Sequence, residues 1–318
     1  MISWWASLPM EYRVISVLCL FLLIMSAIGW GFKNASRFSQ QRGAVDNLID
    51  RVNAWWLMVL FLGMAIAIGK YGLIALFFFV SFQCLREFLS LTVTRRGDHR
   101  ALLWSFWFFL PLQYILVAFE WYGLFSILIP VYAFLLLPVS AALGSDTKHF
   151  LQRTSTVQWA LMLSVYCLSH LPALIMLDIP GYTQSNVMLI IFLLLVVQFS
   201  DVFQYIWGKL LGKRKLAPEV SPSKTVEGLV GGVISATLLG AALSFLTPFN
   251  VWQAALVSLT INTCGFFGGF VLSAVKRDRG VKDWGNLIPG HGGMLDRVDS
   301  LTFAAPIYFH ILRYWWVP

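Results

Sequence analysis

Charge is scarce in this 318-residue chain: Asp, Glu, Lys and Arg make up 12% of it, against 58% hydrophobic residues. A soluble fold would have to hide more apolar surface than an interior of this size accepts, which excludes a soluble enzyme or binding module. Cysteine is scarce as well. Cys19, Cys84, Cys167 and Cys264 each lie in an apolar stretch without paired spacing, which excludes a zinc knuckle or a disulfide framework. The opening MISWWASLPMEYRVIS lacks a basic leader and a small-residue cleavage pattern, so the first apolar run is expected to be a retained helix. No internal repeat or low-complexity tract is visible, so the inverted-repeat design of many transporters has no support in the sequence.

What the chain does have is a succession of apolar runs. A bilayer core of roughly 30 Å takes about 20 apolar residues per helix, and runs of that kind lie near 12–31, 54–69, 71–91, 102–119, 121–142, 158–177, 187–207, 226–247, 251–275 and 301–317. The expected fold is an all-α, polytopic integral membrane bundle of about ten transmembrane helices, with nine as the alternative. Residues 1–185 supply the N-terminal helices, and 186–318 supply the C-terminal helices with the polar loops, within one membrane domain. Short links at Gly69-Lys70-Tyr71 and Glu120-Trp121 imply hairpins, although the second and third runs could form one broken element.

The net charge is +8, but the basic residues sit in short loops, so they read as topology signals and not as a nucleic-acid surface. Alternate loops hold four Lys or Arg in 33–53, three in 92–101, two in 144–157, five in 208–225 and five in 276–300. That asymmetry puts these loops in the cytoplasm and both termini outside, and the short loops fit a bacterial inner membrane. Trp4, Trp5, Trp55, Trp56, Trp121, Trp315 and Trp316 read as interfacial anchors.

Two of the basic loops also hold acids, hydroxyls and glycines. In the first, Ser221, Ser223, Lys224 and Thr225 precede a helix whose free amides favour an anion, so a phosphate chain can dock there, with an N-cap as the plain alternative. Asp201 lies just upstream, near Gln198 and Gln204, and a buried acid leading into such a loop is expected to belong to the site. Arg86 and Glu87, adjacent at the end of the third run, read instead as a local structural arrangement.

The second loop spans 273–300. Asp278, Asp283, Asp296 and Asp299 alternate there with Lys276, Arg277, Arg279, Lys282 and Arg297. Asp296 and Asp299 are three apart, so at the start of a helix both carboxylates share a face and can hold magnesium, leaving positions for substrate phosphates. Gly290, Gly292 and Gly293 would let backbone approach a ligand closely. His291, between glycines, is a candidate base or a structural hydrogen-bonding residue. A salt-bridged headgroup patch is the plain reading of this loop, but such a patch needs lysines and not clustered aspartates.

The run Ser273, Val275, Lys276, Arg277, Lys282, Asp283, Gly285, Ile288, Pro289, His291, Gly292, Gly293, Met294, Asp296, Arg297, Val298 and Asp299 resembles the C-terminal signature of phosphatidate cytidylyltransferases, the CDP-diglyceride synthases. SPSKTVEG at 221–228, after Asp201, resembles a second block of that family. The resemblance covers about 198–318. It implies transfer of a cytidylyl group from CTP to phosphatidic acid, releasing pyrophosphate, in phospholipid biosynthesis.

It also implies magnesium, with a second cation open, and homodimer formation. Asp296 and Asp299 would be the magnesium ligands, with Asp283 a further acid. Lys276, Arg277, Lys282 and Arg297 would neutralise substrate phosphates. Ser221, Ser223, Lys224 and Thr225 would hold the triphosphate, and His291 would order the glycine turn or contact phosphate. One departure stands out: GFFGGFVLS puts Gly269 where the family carries an aspartate and Leu272 where it carries an acidic residue. Asp278 is the candidate substitute carboxylate. Gly265 and Gly269 are four apart, a spacing that lets two helices approach closely.

Three other functions stay open on these residues: a CTP-dependent lipid kinase or a cytidylyltransferase acting on another lipid phosphate, a lipid transporter, and a non-catalytic homologue.

Overall fold

The computed structural model describes residues 8–34, 42–92, 94–285 and 292–318. Ten helical segments run through them: α1 Met10–Asn34, α2 Arg42–Ile68 and α3 Lys70–Ser90, α4 Arg96–Ala118, α5 Tyr122–Ala142 and α6 Phe150–Met176, then α7 Val187–Leu210, α8 Val226–Ala242, α9 Val251–Asp278 and α10 Leu295–Trp315. Seven of them are long and apolar enough to cross a membrane, and the apolar part of α2 (Val52–Ile68) and α8 are shorter. The one β element among the described residues is an antiparallel hairpin between α7 and α8, β1 Lys215–Ala217 with β2 Ser221–Thr225. The chain is an all-α polytopic integral membrane protein, as its apolar runs require.

Four helices start well before their apolar runs, α2 at Arg42, α4 at Arg96, α6 at Phe150 and α10 at Leu295, so more polar turns precede the apolar stretches. Hydropathy marks what can sit in lipid, not where the backbone starts to coil. The second and third runs are two helices that pack on each other, parted at Gly69, whose φ of +88° is a left-handed value that glycine alone adopts freely. The turn between α4 and α5 holds Glu120, which pairs with Lys70 at the α2–α3 turn.

α7 is the central helix: Leu189, Ile190, Phe192 and Leu193 have no exposed surface. α1 is peripheral and turns Leu20, Leu23, Ile24 and Trp30 outward, as suits a helix facing lipid tails. α4, α5 and α6 each carry a widened π-type turn, at Ser105–Phe109, Leu128–Ala133 and Met162–Cys167. The core is continuous across residue 185, with Leu110, Leu168, Leu189 and Phe309 in one buried cluster. In α9, Gly265 and Gly268 lie where a Cβ would meet the backbone oxygens of Ser300 at 3.1 Å and Asp299 at 3.0 Å. The close approach expected at this glycine pattern is therefore the α9–α10 contact.

Burial also demands partners for charge. Arg153, in the first turn of α6, lies 3.0 Å from Asp98 at the start of α4, with side chains 5% and 4% exposed. Its guanidinium also pairs with Asp146 at 2.9 Å and donates to the carbonyls of Lys148 and Asp146. Removing one partner of such a pair leaves an uncompensated buried charge, at a cost of about 3–5 kcal/mol. Arg153→Ala is therefore expected to lower the melting temperature of the detergent-purified protein clearly, and an unchanged melting curve would show that this network is not structural.

Candidate active site

The site is assembled at the end of the bundle where α7 meets the hairpin and where α9 meets α10. A cleft of about 980 Å³ opens there. Its walls come from parts of the chain far apart in sequence: Trp55 and Met58 on α2, Asp201 and Tyr205 on α7, Ser223 and Lys224 on β2, Phe266 and Lys276 on α9, and Asp299 on α10.

At its centre Asp201 and Asp299 face a shared hydroxyl. Ser300 Oγ donates to Asp201 Oδ2 at 3.0 Å and lies 3.5 Å from Asp299 Oδ1, while the Ser300 amide donates to Asp299 Oδ1 at 2.7 Å. The Lys224 ammonium lies 4.5 Å from the Phe266 ring centroid, within cation–π range. Burial pushes its pKa below the usual lysine value, the fields of Asp299 and Asp201 act in the opposite sense, and nearby Lys276 adds to the lowering. Two acids thus share a desolvated pocket with two lysines. Lys209, Lys215 and Lys282 add cations along the cleft.

Lys276 is committed elsewhere. Its Nζ lies 2.7 Å from Asp296 Oδ1, with side chains 11% and 9% exposed. Asp296 Oδ2 accepts the amides of Trp284 at 2.8 Å and Gly293 at 2.9 Å. Asp296, expected beside Asp299 as a metal ligand, lines the cleft, and its oxygens accept from three protein donors that hold the loop to it. Gly292 has φ +78°, and a Cβ there would sit 2.7 Å from Asp296 Oδ2. A Cβ on Gly293 would sit 2.4 Å from Glu87 Oε2. These glycines do allow close approach, but to the protein's own carboxylates.

Most of the other expected residues gather here. Ser223, Lys224, Thr225, Lys282, Asp283, Gly292 and Arg297 line the cleft with Asp201 and Asp299. Thr225 also acts as the N-cap of α8, its Oγ1 accepting the Gly228 amide at 3.1 Å, so the plain reading of that position holds. Four expected residues do not line it: Gly293, which lies against Glu87 and Asp296, and Ser221, Arg277 and Asp278. Ser221 is 9% exposed and paired across the hairpin with Ala217. Arg277 donates to the carbonyls of Val220 at 3.3 Å and Val281 at 3.1 Å, tying the end of α9 to the hairpin instead of facing a substrate.

Asp278 is the clearest correction: its side chain is 73% exposed, 3.6 Å from Arg279 and off the cleft. It follows α9's buried face by two residues, and the helical turn carries it outward. His291 lies outside the described residues, as do Gly290, Pro289 and Ile288.

Several contributors had no clear sequence signal. Gln198 Nε2 donates to the Arg297 carbonyl at 3.2 Å, fixing α10 against α7. Trp55, expected as an interfacial anchor, lines the cleft and packs on Phe199 with ring centroids 6.5 Å apart. Glu87 is not a local partner of Arg86: Arg86 is exposed, whereas Glu87 is buried against the loop before α10. A buried acid beside an exposed base is the sort of pattern that could have raised Glu87, but a sequence does not show which of two neighbours turns inward.

Comparison with known proteins adds a lineage to this geometry. The sequence model of the Cytidylyltransferase family matches residues 49–315. The chain is 39% identical over 279 residues to the uncharacterized protein YnbB of Escherichia coli strain K12, covering 87% of this chain and 91% of that one. It is 36% identical over 216 residues to the phosphatidate cytidylyltransferase of Bacillus subtilis strain 168, covering 66% of this chain and 76% of the relative. To the phosphatidate cytidylyltransferase of Staphylococcus haemolyticus it is 43% identical over 120 residues, and that match spans 46% of the relative.

The exposure of Asp278 makes a sharp expectation. Substitutions at such surface positions stay within about 0.5 kcal/mol, so Asp278→Asn should leave the melting temperature within about 2 °C and turnover within about twofold of wild type. A severe loss of turnover would return Asp278 to the site.

Proposed function

Because the chain belongs to the cytidylyltransferase family, we propose that it transfers the cytidylyl group of CTP to phosphatidic acid, giving CDP-diacylglycerol and pyrophosphate. One observation carries this reading: a single cleft joins the apolar side chains of Ala54, Trp55, Met58 and Val202 to a half-buried carboxylate pair with lysines around it. A diacyl lipid phosphate needs an apolar surface for its tails and cations for its head. Triphosphate needs the cations too, and the loops that carry them project from the bundle end. The excess of basic residues in those loops supports a cytoplasmic orientation in a bacterial inner membrane, where CTP is available.

The reaction asks for little covalent help from the protein. A phosphatidate oxygen, already anionic, attacks the α-phosphorus of CTP in line, so no general base is required. The new P–O bond forms as the bond from the α-phosphorus to the α,β-bridging oxygen breaks, and pyrophosphate leaves with the electron pair. Lys224, held between Phe266 and the two acids, is the cation we assign to the triphosphate, with Ser223 beside it. Lys209, Lys215, Lys282 and Arg297 offset the remaining phosphate charge along the cleft.

Asp201 and Asp299 are the residues we assign to magnesium. Their donor set fits: two half-buried carboxylates around one hydroxyl repel each other unless a cation joins them, and magnesium takes one or two carboxylates while keeping positions for water and phosphate. Among the described residues no group of three or more His, Cys, Asp or Glu side chains gathers for a metal, which suits a metal shared with substrate phosphates better than an all-protein cage. When bound, magnesium supplies Lewis-acid charge to the reacting phosphates. Gly269 bears on this assignment directly, because a Cβ there would lie 3.3 Å from Asp299 Oδ2. The position where the resemblance expects an aspartate thus adjoins the pair, and this chain has a glycine there beside two carboxylates. That difference favours one second reading, cytidylyl transfer to another lipid phosphate.

Purified protein given α-labelled CTP, phosphatidic acid and magnesium should move label into lipid with matching pyrophosphate release, and chelation should stop it. Labelled lipid from a different lipid phosphate alone would select the second reading; no labelled lipid from a folded preparation would count against both. Asp299→Ala should lower turnover by more than the roughly 100-fold typical of outer partners of a metal site, with the melting temperature retained. For Lys224→Ala the expected change is a KM for CTP raised about tenfold or more, the loss of a charged hydrogen bond worth about 1.5–3 kcal/mol. An unchanged CTP dependence would remove Lys224 from the triphosphate site.

A further inference from the structure

Glu87 belongs to α3, within the residues 49–315 that the family model matches but upstream of the two motif blocks that carry the candidate site residues. Its residue is 4% exposed. Oε1 accepts the Met294 amide and Oε2 the Leu295 amide, each at 2.9 Å. Gln83, one turn earlier on α3, donates its Nε2 to Oε1 at 3.0 Å.

Those amides open α10. The first turn of a helix has N–H groups with no partner inside the helix, and Met294, at the N-cap of α10, supplies no side-chain cap. Asp296 takes the Gly293 amide and Glu87 takes the next two. Three successive donors are therefore satisfied, two of them by a carboxylate from another helix. The surroundings are built around that contact. A Cβ on Gly293 would lie 2.4 Å from Glu87 Oε2, and one on Gly285 would lie 3.3 Å from Glu87 Cδ. Beside it, Phe88 stacks on the buried Trp284 with ring centroids 4.9 Å apart.

We propose that Glu87 is a positioning residue for the reaction: it docks on the amides of Met294 and Leu295 and so sets the register in which α10 presents Arg297, Asp299 and Ser300 to the cleft. The inference rests on the cytidylyl-transfer reading for its kinetic consequence and on geometry alone for the docking. Asp299 lies about one helical turn beyond the docked amides, so fraying of that turn moves it. A displacement near 1 Å can cost roughly 100-fold in rate. Lys224, the cation assigned to the triphosphate, comes from the hairpin outside this contact, and Lys209 and Lys215 also lie off α10, so nucleotide affinity should change much less than turnover. A carboxylate suits the task because both oxygens accept. Glutamine in its place accepts one amide and turns an N–H donor toward the other.

The test compares wild type, Glu87→Gln and Glu87→Ala in detergent, reading kinetics, melting temperature and hydrogen exchange of the segment 292–300. Arg153→Ala, off the cleft, serves as a variant destabilised without touching α10. The expected result is a kcat lowered about tenfold in Glu87→Gln and about 100-fold in Glu87→Ala, a KM for CTP changed less than about threefold, and faster exchange at the amides of Met294 and Leu295. Turnover per folded molecule should survive in Arg153→Ala.

A kcat retained in both Glu87 variants at temperatures where they are folded would overturn the proposal, as would amides as protected as in wild type. If Glu87→Ala does not fold, Glu87→Gln decides by the same readings. A wild-type protein with no cytidylyl transfer would overturn the reaction assigned above. The exchange comparison would then judge the docking by itself, and unchanged protection would end it.

Discussion

The ion pair between Lys276 and Asp296, 2.7 Å apart and nearly buried, joins the last turns of α9 to the first turn of α10. Asp296 turns its other oxygen to the amides of Trp284 and Gly293, so one carboxylate closes the loop between the two helices. A lone charge at that depth is unstable, and each partner is tolerable because the other is present. Gly292, with a positive φ and no side chain, is the backbone form that lets the loop reach this carboxylate. The placing of Asp299 follows from it, since Asp299 is carried on the helix that the pair anchors.

Four carboxylates near one another thereby have different tasks set by their neighbours. Asp296 and Glu87 are saturated by a lysine and by amides and serve to hold α10. Asp201 and Asp299 meet over the Ser300 hydroxyl and face the cleft. What separates them is access: the first two spend their lone pairs on the protein, and the second two keep some for a ligand. Local charge density alone ranks all four alike.

The helices were legible because lipid imposes a length and a polarity that soluble folds do not, and the runs ending near 91, 142 and 207 reappear as α3, α5 and α7. The early starts of α2, α4 and α6 were not, since nothing in hydropathy marks where a helix begins outside lipid; the start of α10 was expected only from the spacing of Asp296 and Asp299. Within the site, Lys224, Asp201 and Asp299 could be picked out by charge beside phosphate-loop chemistry. Asp278 could not be separated from them by spacing, because one residue along a helix is a rotation of about 100°, enough to carry a side chain from the buried face to solvent.

The sequence by itself determined that the chain lies in a membrane, about how many helices it forms, and that its acids, lysines and glycines concentrate in the loops after α7 and α9. Those properties depend on composition and on residues near one another in the chain. Only the tertiary structure decided that Trp55 and Met58 wall the cleft, that Gly269 adjoins Asp299 and that Glu87 caps α10. Glu87 and Leu295 stand 208 residues apart, and what brings them together is the packing of α3 and α10 in one core. Side-chain direction and the spending of each lone pair are properties of that packing, which no local pattern encodes.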